Sequence, residues 1–113
     1  MARSKGYCFS SSHQAKATYF SALSHPARVQ IVELLHNGRS MYFEELVEII
    51  PLGSGTISEH LRKLENAKLI LPAPGGYGRT GYRLNAAVVA DALLMAGQTL
   101  RHLSLVERKD KVA

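Results

Sequence analysis

One cysteine, Cys8, is all the chain has, so no internal disulfide framework can hold it together. No stretch approaches the roughly 18 uninterrupted apolar residues of a membrane span, and the start "MARSKGYCFSSS" lacks the apolar run of a secretory signal. A cytoplasmic protein with no membrane partner is expected. Catalytic signatures are missing as well. No Gly-Lys-Ser/Thr follows the glycine-rich stretch, no HExxH pairs two histidines on a helix, and no nucleophile motif or nucleotide fingerprint accompanies the serines and histidines. The composition excludes a disulfide scaffold and a membrane protein, and no motif supports an enzyme.

Acidic residues are also scarce, nine against fourteen Lys and Arg, for a net charge of +5 and a pI near 9.6. That balance favours an anionic partner. The charge is unevenly spread. Positions 1–16 carry Arg3, Lys5 and Lys16 with no acid, and 41–50 carry Glu44, Glu45 and Glu48 with no base. Arg62, Lys63, Lys68, Arg79 and Arg83 then outnumber Glu59 and Glu65. With 113 residues, 46% hydrophobic and 20% charged, the chain has the size and composition of one soluble domain with a single core.

Helical periodicity orders this domain. Positions 15–23 read as a first helix with Tyr19, Phe20 and Leu23 apolar. "SHPARVQIVELLHNG" supplies Ser24 as a cap, Pro26 in the first turn, an apolar series through Leu35 and a stop at Gly38. "MYFEELVEII" continues at helical spacing to Pro51, and "PLGSG" leads into "SGTISEHLRKLENAKLI". Ile57, Leu61 and Leu64 form the inner stripe of that helix. Its opposite face has short residues first, Ser54, Gly55 and Ser58, and then Glu59, Arg62 and Lys63, which are long enough to reach phosphates. Two short helices joined in this way make a helix-turn-helix, whose second helix reads. Strand-like runs at 69–73 and 82–84 flank "PGGYGRTG", giving a small hairpin whose tip offers Arg79, Thr80 and backbone amides to a phosphate backbone or a minor groove. From Asn85 a last helix begins, and over 86–96 only Asp91 is polar. Its stripes, Val89, Leu93, Ala96, Leu100 and Leu103 beside Val88, Ala92 and Met95, exceed what one domain needs. One stripe can cover the domain and the other can meet a second copy.

The segments "ALSHPARVQIVELLHNG", "FEELVEII", "SGTISEHLRKLENAKLI" and "GRTGYRL", in this order and at this spacing, resemble the ArsR/SmtB family of bacterial winged-helix repressors. The resemblance implies a mainly α fold with a small β-hairpin, a dimeric winged helix-turn-helix. The first and last helices, Tyr19 included, would form the interface, and the reading helix would lie in the major groove of a double-stranded operator. It places Thr56, Ser58, Glu59, His60, Arg62 and Lys63 in the DNA-facing helix, and Arg79 in the wing. The implied division is a flexible basic arm over 1–14, the binding and dimerisation domain over 15–106, and a charged tail over 107–113.

The chain departs from the family pattern in two respects. Lys68 stands where the family commonly has glycine at the turn leaving the reading helix, so either Asn66 takes the left-handed conformation or Lys68 does. Many members sense metals through paired cysteines, and the matching positions here are Tyr42 and Glu44. A second family site, on the last helix, uses carboxylates and histidines. Asp91 and Glu107 match its outer ligands, but Leu93 and Ser104 stand where histidines belong, and His102 is out of register. Cys8 and His13 alone fall short of the four ligands of a closed zinc site. No cofactor is therefore expected; Asp91, His102 and Glu107 remain the candidate set for nickel or zinc. Two alternatives to a metal-independent repressor are a metal-responsive regulator using that set and a winged-helix module that binds protein rather than DNA.

Overall fold

The computed structural model describes the backbone of residues 8–112 and the side chains of residues 8–103. Five helices and a three-stranded sheet follow in the order α1 (Ser11–Ala22), α2 (Pro26–Leu34), β1 (Met41–Tyr42), α3 (Phe43–Ile49), α4 (Ser54–Asn66), β2 (Ile70–Pro74), β3 (Thr80–Leu84) and α5 (Ala86–Val112). This is the expected mainly helical winged helix-turn-helix, with differences at its joints. Helix α1 starts within the region expected to be an arm, because the Ser10 hydroxyl accepts from the His13 amide at 3.0 Å and caps the helix. Positions 11–14 are therefore helical, and residues 1–7 lie outside the described part. At the other end, α5 continues through Val112, so the backbone at 107–112 is helix rather than a separate tail.

Helix α2 is capped by His25, not by Ser24. The His25 Nδ1 accepts from the Ala27 amide at 3.0 Å, while the Ser24 hydroxyl donates back to the Ser21 carbonyl at 2.7 Å. Pro26 occupies the first turn, where its missing N–H costs nothing. At the far end Asn37 and Gly38 take left-handed backbone, φ 55° and 73°, and turn the chain toward β1.

The sheet has the order β1-β3-β2, all antiparallel, so the hairpin gains a third strand. Met41 and Tyr42 were expected to continue the helical spacing; instead they pair with Tyr82 and Gly81. Two residues are too few to show a period of two, which is why the sequence hides this strand. Pro72 and Pro74 sit in β2, an edge strand, where an absent N–H breaks no ladder. Gly81, in the central strand, is required by close approach: a β-carbon there would lie 2.8 Å from the Ala73 carbonyl oxygen.

Ile31, Leu35, Met41, Leu46, Ile57, Leu61, Leu64 and Ile70 are fully buried, and Val88, Val89 and Tyr82 pack against them. The core thus joins α2, α3 and α4 to the sheet, and α5 closes it with Ala92. None of the described helices is long and apolar enough to cross a membrane.

Candidate nucleic-acid interface

Helix α4 is fixed on its inner side by Ile57, His60, Leu61 and Leu64, all buried, at spacings of three, one and three. Its outer side carries Ser54, Gly55, Thr56, Ser58, Glu59, Arg62 and Lys63, all exposed. The helix start is small, and a β-carbon placed on Gly53 or Gly55 would meet nothing within 4 Å. Those glycines leave open space into which another molecule's backbone can come close.

The helix ends in a Schellman turn. The Lys68 amide donates to the Glu65 carbonyl at 2.9 Å and the Leu69 amide to the Leu64 carbonyl at 3.1 Å. Lys68 itself is the left-handed residue, φ 65°, and Asn66 stays within the helix. Of the two sequence alternatives, the lysine bears the strain and keeps its charge at the exposed turn.

His60 does not face outward. It was expected in the DNA-facing set, yet only 9% of its area is exposed, and it lies on the same stripe as Ile57, Leu61 and Leu64. Arg28 Nε donates to its Nδ1 at 3.1 Å, and the His25 ring sits against it with centroids 4.2 Å apart. Arg28 also donates from Nη1 to the Ser21 carbonyl at 3.2 Å, so this cluster ties the end of α1 and the start of α2 to α4. Both imidazoles accept through Nδ1 and therefore hold their proton on Nε2. Burial, together with the cost of placing a positive charge beside His25 and Arg28, holds the His60 pKa below its ordinary value near 6.5. The spacing 57, 60, 61, 64 carried the signal for burial. What the sequence could not supply was the partner, thirty-two positions away, that makes a buried imidazole tolerable.

Glu59 and Arg62 pair across one helical turn, with Arg62 Nε donating to the Glu59 oxygens at 3.2 and 3.3 Å and its Nη2 in closer contact. The hydrogen bond and charge of Arg62 hold the Glu59 carboxyl below its usual range. The pair is fully solvated, so it orders two side chains at little cost to either's release. Glu59 is thus the partner of Arg62 in the free chain.

In the wing, Arg79 lies over the Tyr42 ring, with its guanidinium carbon 4.0 Å from the centroid and its Nε 4.0 Å from a Glu44 oxygen. Tyr42 also fills the space beside Gly75, where a β-carbon would come within 2.3 Å of its ring. Tyr42 thus packs at the root of the wing, and Glu44 adds an exposed ion pair to the same arginine. Thr80 is exposed beside Arg79.

The expected interface residues divide. Val89 packs against the domain's own core, and Ala96 is half-buried. Tyr19 is half-buried and donates its hydroxyl to Asp91 Oδ2 at 3.0 Å, joining α1 to α5 within the chain. Leu93 is 73% exposed, and Leu100 and Leu103 are exposed as well. Phe20 and Leu23, which the sequence marked as apolar on the first helix without assigning them to the interface, and Leu94, which its stripes left out, are also exposed, and Phe20 and Leu23 border an apolar cavity of about 260 Å³ with Leu93.

Among the described residues no three His, Cys, Asp or Glu side chains gather in one place. Asp91 and His102 are eleven positions apart on one helix, about 16 Å along its axis, so one chain cannot bring them to a common ion. The Glu107 side chain lies outside the described residues.

A family model described as bacterial regulatory protein, arsR family, matches residues 25–70. The HTH-type transcriptional regulator Rv0081 of Mycobacterium tuberculosis is 31% identical over 88 residues, 78% of this chain and 76% of that protein. The crystal structure of Rv0081 matches with a TM-score of 0.64 at 29% identity, covering 93% of this chain and 100% of that one. A possible transcriptional regulator for arsenical resistance matches at 0.65 with 26% identity, over 73% of this chain and 83% of that chain. The transcriptional repressor BigR from Xylella fastidiosa matches at 0.56 with 28% identity, over 74% and 83%.

Proposed function

The chain belongs to the arsR family of bacterial regulatory proteins and is a transcriptional regulator, and from that premise we propose that it is a cytoplasmic homodimeric repressor that blocks a promoter by occupying its operator. The observation that carries this reading is the outer face of α4: small at its start, cationic one turn later, and turned outward by the buried stripe on the opposite side. Lys63, Arg62 and Arg79 contact phosphates and supply affinity. Ser54, Thr56, Ser58 and Glu59 meet base edges, and Glu59 accepts from a cytosine amino group once Arg62 turns to a phosphate. His60 has no base to read; it sets the helix on α2. Exposed Leu93, Leu100 and Leu103 form the surface for a second copy, which supports a two-fold operator.

Selection of bound DNA from a random pool, with sedimentation of the free protein, tests both halves. A two-fold consensus and a dimer are expected. A chain that retains no DNA from the pool would instead support the protein-binding alternative.

The inducing signal on this reading is not a cysteine-bound metal. Tyr42 and Glu44 contact Arg79 of the wing, and an ion shared by Asp91, His102 and Glu107 would need ligands from both chains. A small molecule, a second protein or abundance alone then sets occupancy. A ligand shifts two states only by binding them differently, and an incomplete ligand set offers little difference. Titration of metal-free protein with nickel, zinc, copper and cobalt, followed by operator binding, checks this. Tight stoichiometric metal that moves operator affinity, and loses that effect in His102→Ala or Asp91→Ala, would establish the metal-responsive alternative.

A further inference from the structure

The wing ends in a side chain to which none of these contacts gives a task. Tyr77 stands at the crown of the turn between β2 and β3 with 104% of its reference area exposed, more than any other large apolar or aromatic side chain among the described residues. Its backbone is left-handed, φ 58° and ψ 36°, a conformation that costs a residue with a β-carbon and costs glycine nothing. Glycines flank it at 76 and 78, so the turn places an aromatic at a position where glycine would fit without strain. Folding gains neither burial nor a hydrogen bond from this tyrosine. Exposure of one aromatic alone would mean little, but an aromatic held in strained backbone with no task in its own domain points to a contact outside it.

The root of the wing fixes where the crown sits. The Arg79 amide donates to the Gly76 carbonyl at 3.2 Å, closing the turn beneath Tyr77. The Arg79 guanidinium rests on Tyr42, and Gly75 packs so closely against Tyr42 that no β-carbon would fit. Tyr77 is thus presented next to the wing cation rather than carried on a loose loop.

We propose that Tyr77 is a minor-groove probe that makes the operator selective for A·T pairs where the wing lands. The proposal rests on the DNA-binding reading above and adds a specificity that α4 does not provide. A minor groove about 6 Å wide admits a phenol ring edge-on, with its flat faces against the apolar sugar walls. At the floor, adenine N3 and thymine O2 are both acceptors for the phenol O–H. Guanine instead projects its N2 amino group from the floor, where it keeps the ring from reaching the acceptors below. Narrow A·T grooves also concentrate negative potential, which Arg79 at the same site favours.

The test uses the operator obtained by selection, with the wing-contacted pairs located by hydroxyl-radical footprinting. Replacing adenine there by 2,6-diaminopurine adds the minor-groove amino group, and replacing guanine by inosine removes it; both leave the major-groove hydrogen-bonding edge largely intact. Wild-type protein is expected to lose about tenfold in affinity for the diaminopurine operator, the scale of one mismatched pair, and to bind inosine·C as it binds A·T. Tyr77→Ala is expected to bind the A·T operator more weakly and to treat A·T and diaminopurine·T alike. Tyr77→Gly relieves the left-handed strain, so it should melt at a higher temperature and yet bind more weakly, opposite signs that a structural role would not give. If wild-type protein selects no DNA, the DNA-binding reading falls and this proposal falls with it. If it binds an operator but Tyr77→Ala keeps both affinity and diaminopurine sensitivity, Tyr77 is not the probe, and only this proposal is overturned.

Discussion

Helices α4 and α5 each bury one apolar stripe in the same core and turn another face outward, and those outward faces are chemically opposite. On α4 the face is Ser54, Ser58, Glu59, Arg62 and Lys63. On α5 it is Leu93 and Leu100, flanked by Leu103. A solvated cationic face gains by releasing counterions from a polyanion. A leucine face gains only by removing apolar area from water, which a second copy of the same face can do. Helical geometry is common to both, so side-chain chemistry alone distinguishes the helix suited to a nucleic acid from the one suited to itself.

The largest expected effect breaks the α5 half of this contrast. Leu93→Glu and Leu100→Glu alter side chains that are exposed in the single chain, so each chain should still fold. In a dimer they bury a carboxylate at an apolar contact, at a cost on the order of several kcal/mol per chain unless it finds a partner or protonates. Sedimentation should show monomers, and operator affinity should fall with dimerisation. Dimers of wild-type affinity in both variants would place the interface elsewhere.

Arg79→Ala tests the cationic half. Binding to many sequences should weaken alike, and the slope of log K against log salt should fall by about 2 for a dimer losing one phosphate contact per chain. An unchanged slope with altered base preference would assign Arg79 to base reading instead.

His60 sharpens the contrast within α4, between its polar residue that faces inward and those that face outward. Its folded pKa lies below the ordinary 6.5, so between those values the unfolded chain binds more protons than the folded one. Stability is therefore fully present above about 6.5 and is lost as pH falls through the lower folded value. His60→Asn keeps an acceptor near the position of Nδ1 for Arg28 and cannot be protonated. Thermal melts from pH 7.5 downward should show a steeper loss for wild type than for this variant; parallel curves would remove His60 from the acid response.

The smallest effect is at the end of α4. Lys68→Gly should raise stability by about 0.5–1 kcal/mol, the relief of left-handed strain outweighing the conformational freedom that glycine adds to the unfolded chain. Denaturant melts read this directly, and a destabilised variant would mean that the lysine stem contributes packing that outweighs the strain.

Much of this arrangement was legible in the sequence. The spacing of Ile57, Leu61 and Leu64 located α4 and its inner face, and the near absence of polar residues over 86–96 marked α5 as needing more cover than one domain offers. Gly55 and Ser58 already described a close-approach surface. Where the sequence fell short, a long-range partner was the missing term. His60 was placed in the DNA-facing set by the family resemblance; Arg28 of α2 and His25 at its cap made it a core residue instead. Met41 and Tyr42 looked helical because two residues show no alternation, and β3 made them a strand. Phe20 and Leu23 gained meaning only beside Leu93.

The sequence by itself determined the order of elements, the apolar stripes and the sign of charge on each face, because these follow from residue type and from periods of a few positions. Only the tertiary structure decided which distant side chains meet: Arg79 over Tyr42, Tyr19 on Asp91 and His60 on Arg28. These pairs join segments from thirty-two to seventy-two positions apart. A hydrogen bond or ring contact at such separation depends on where packing brings two backbones, and no local period encodes that.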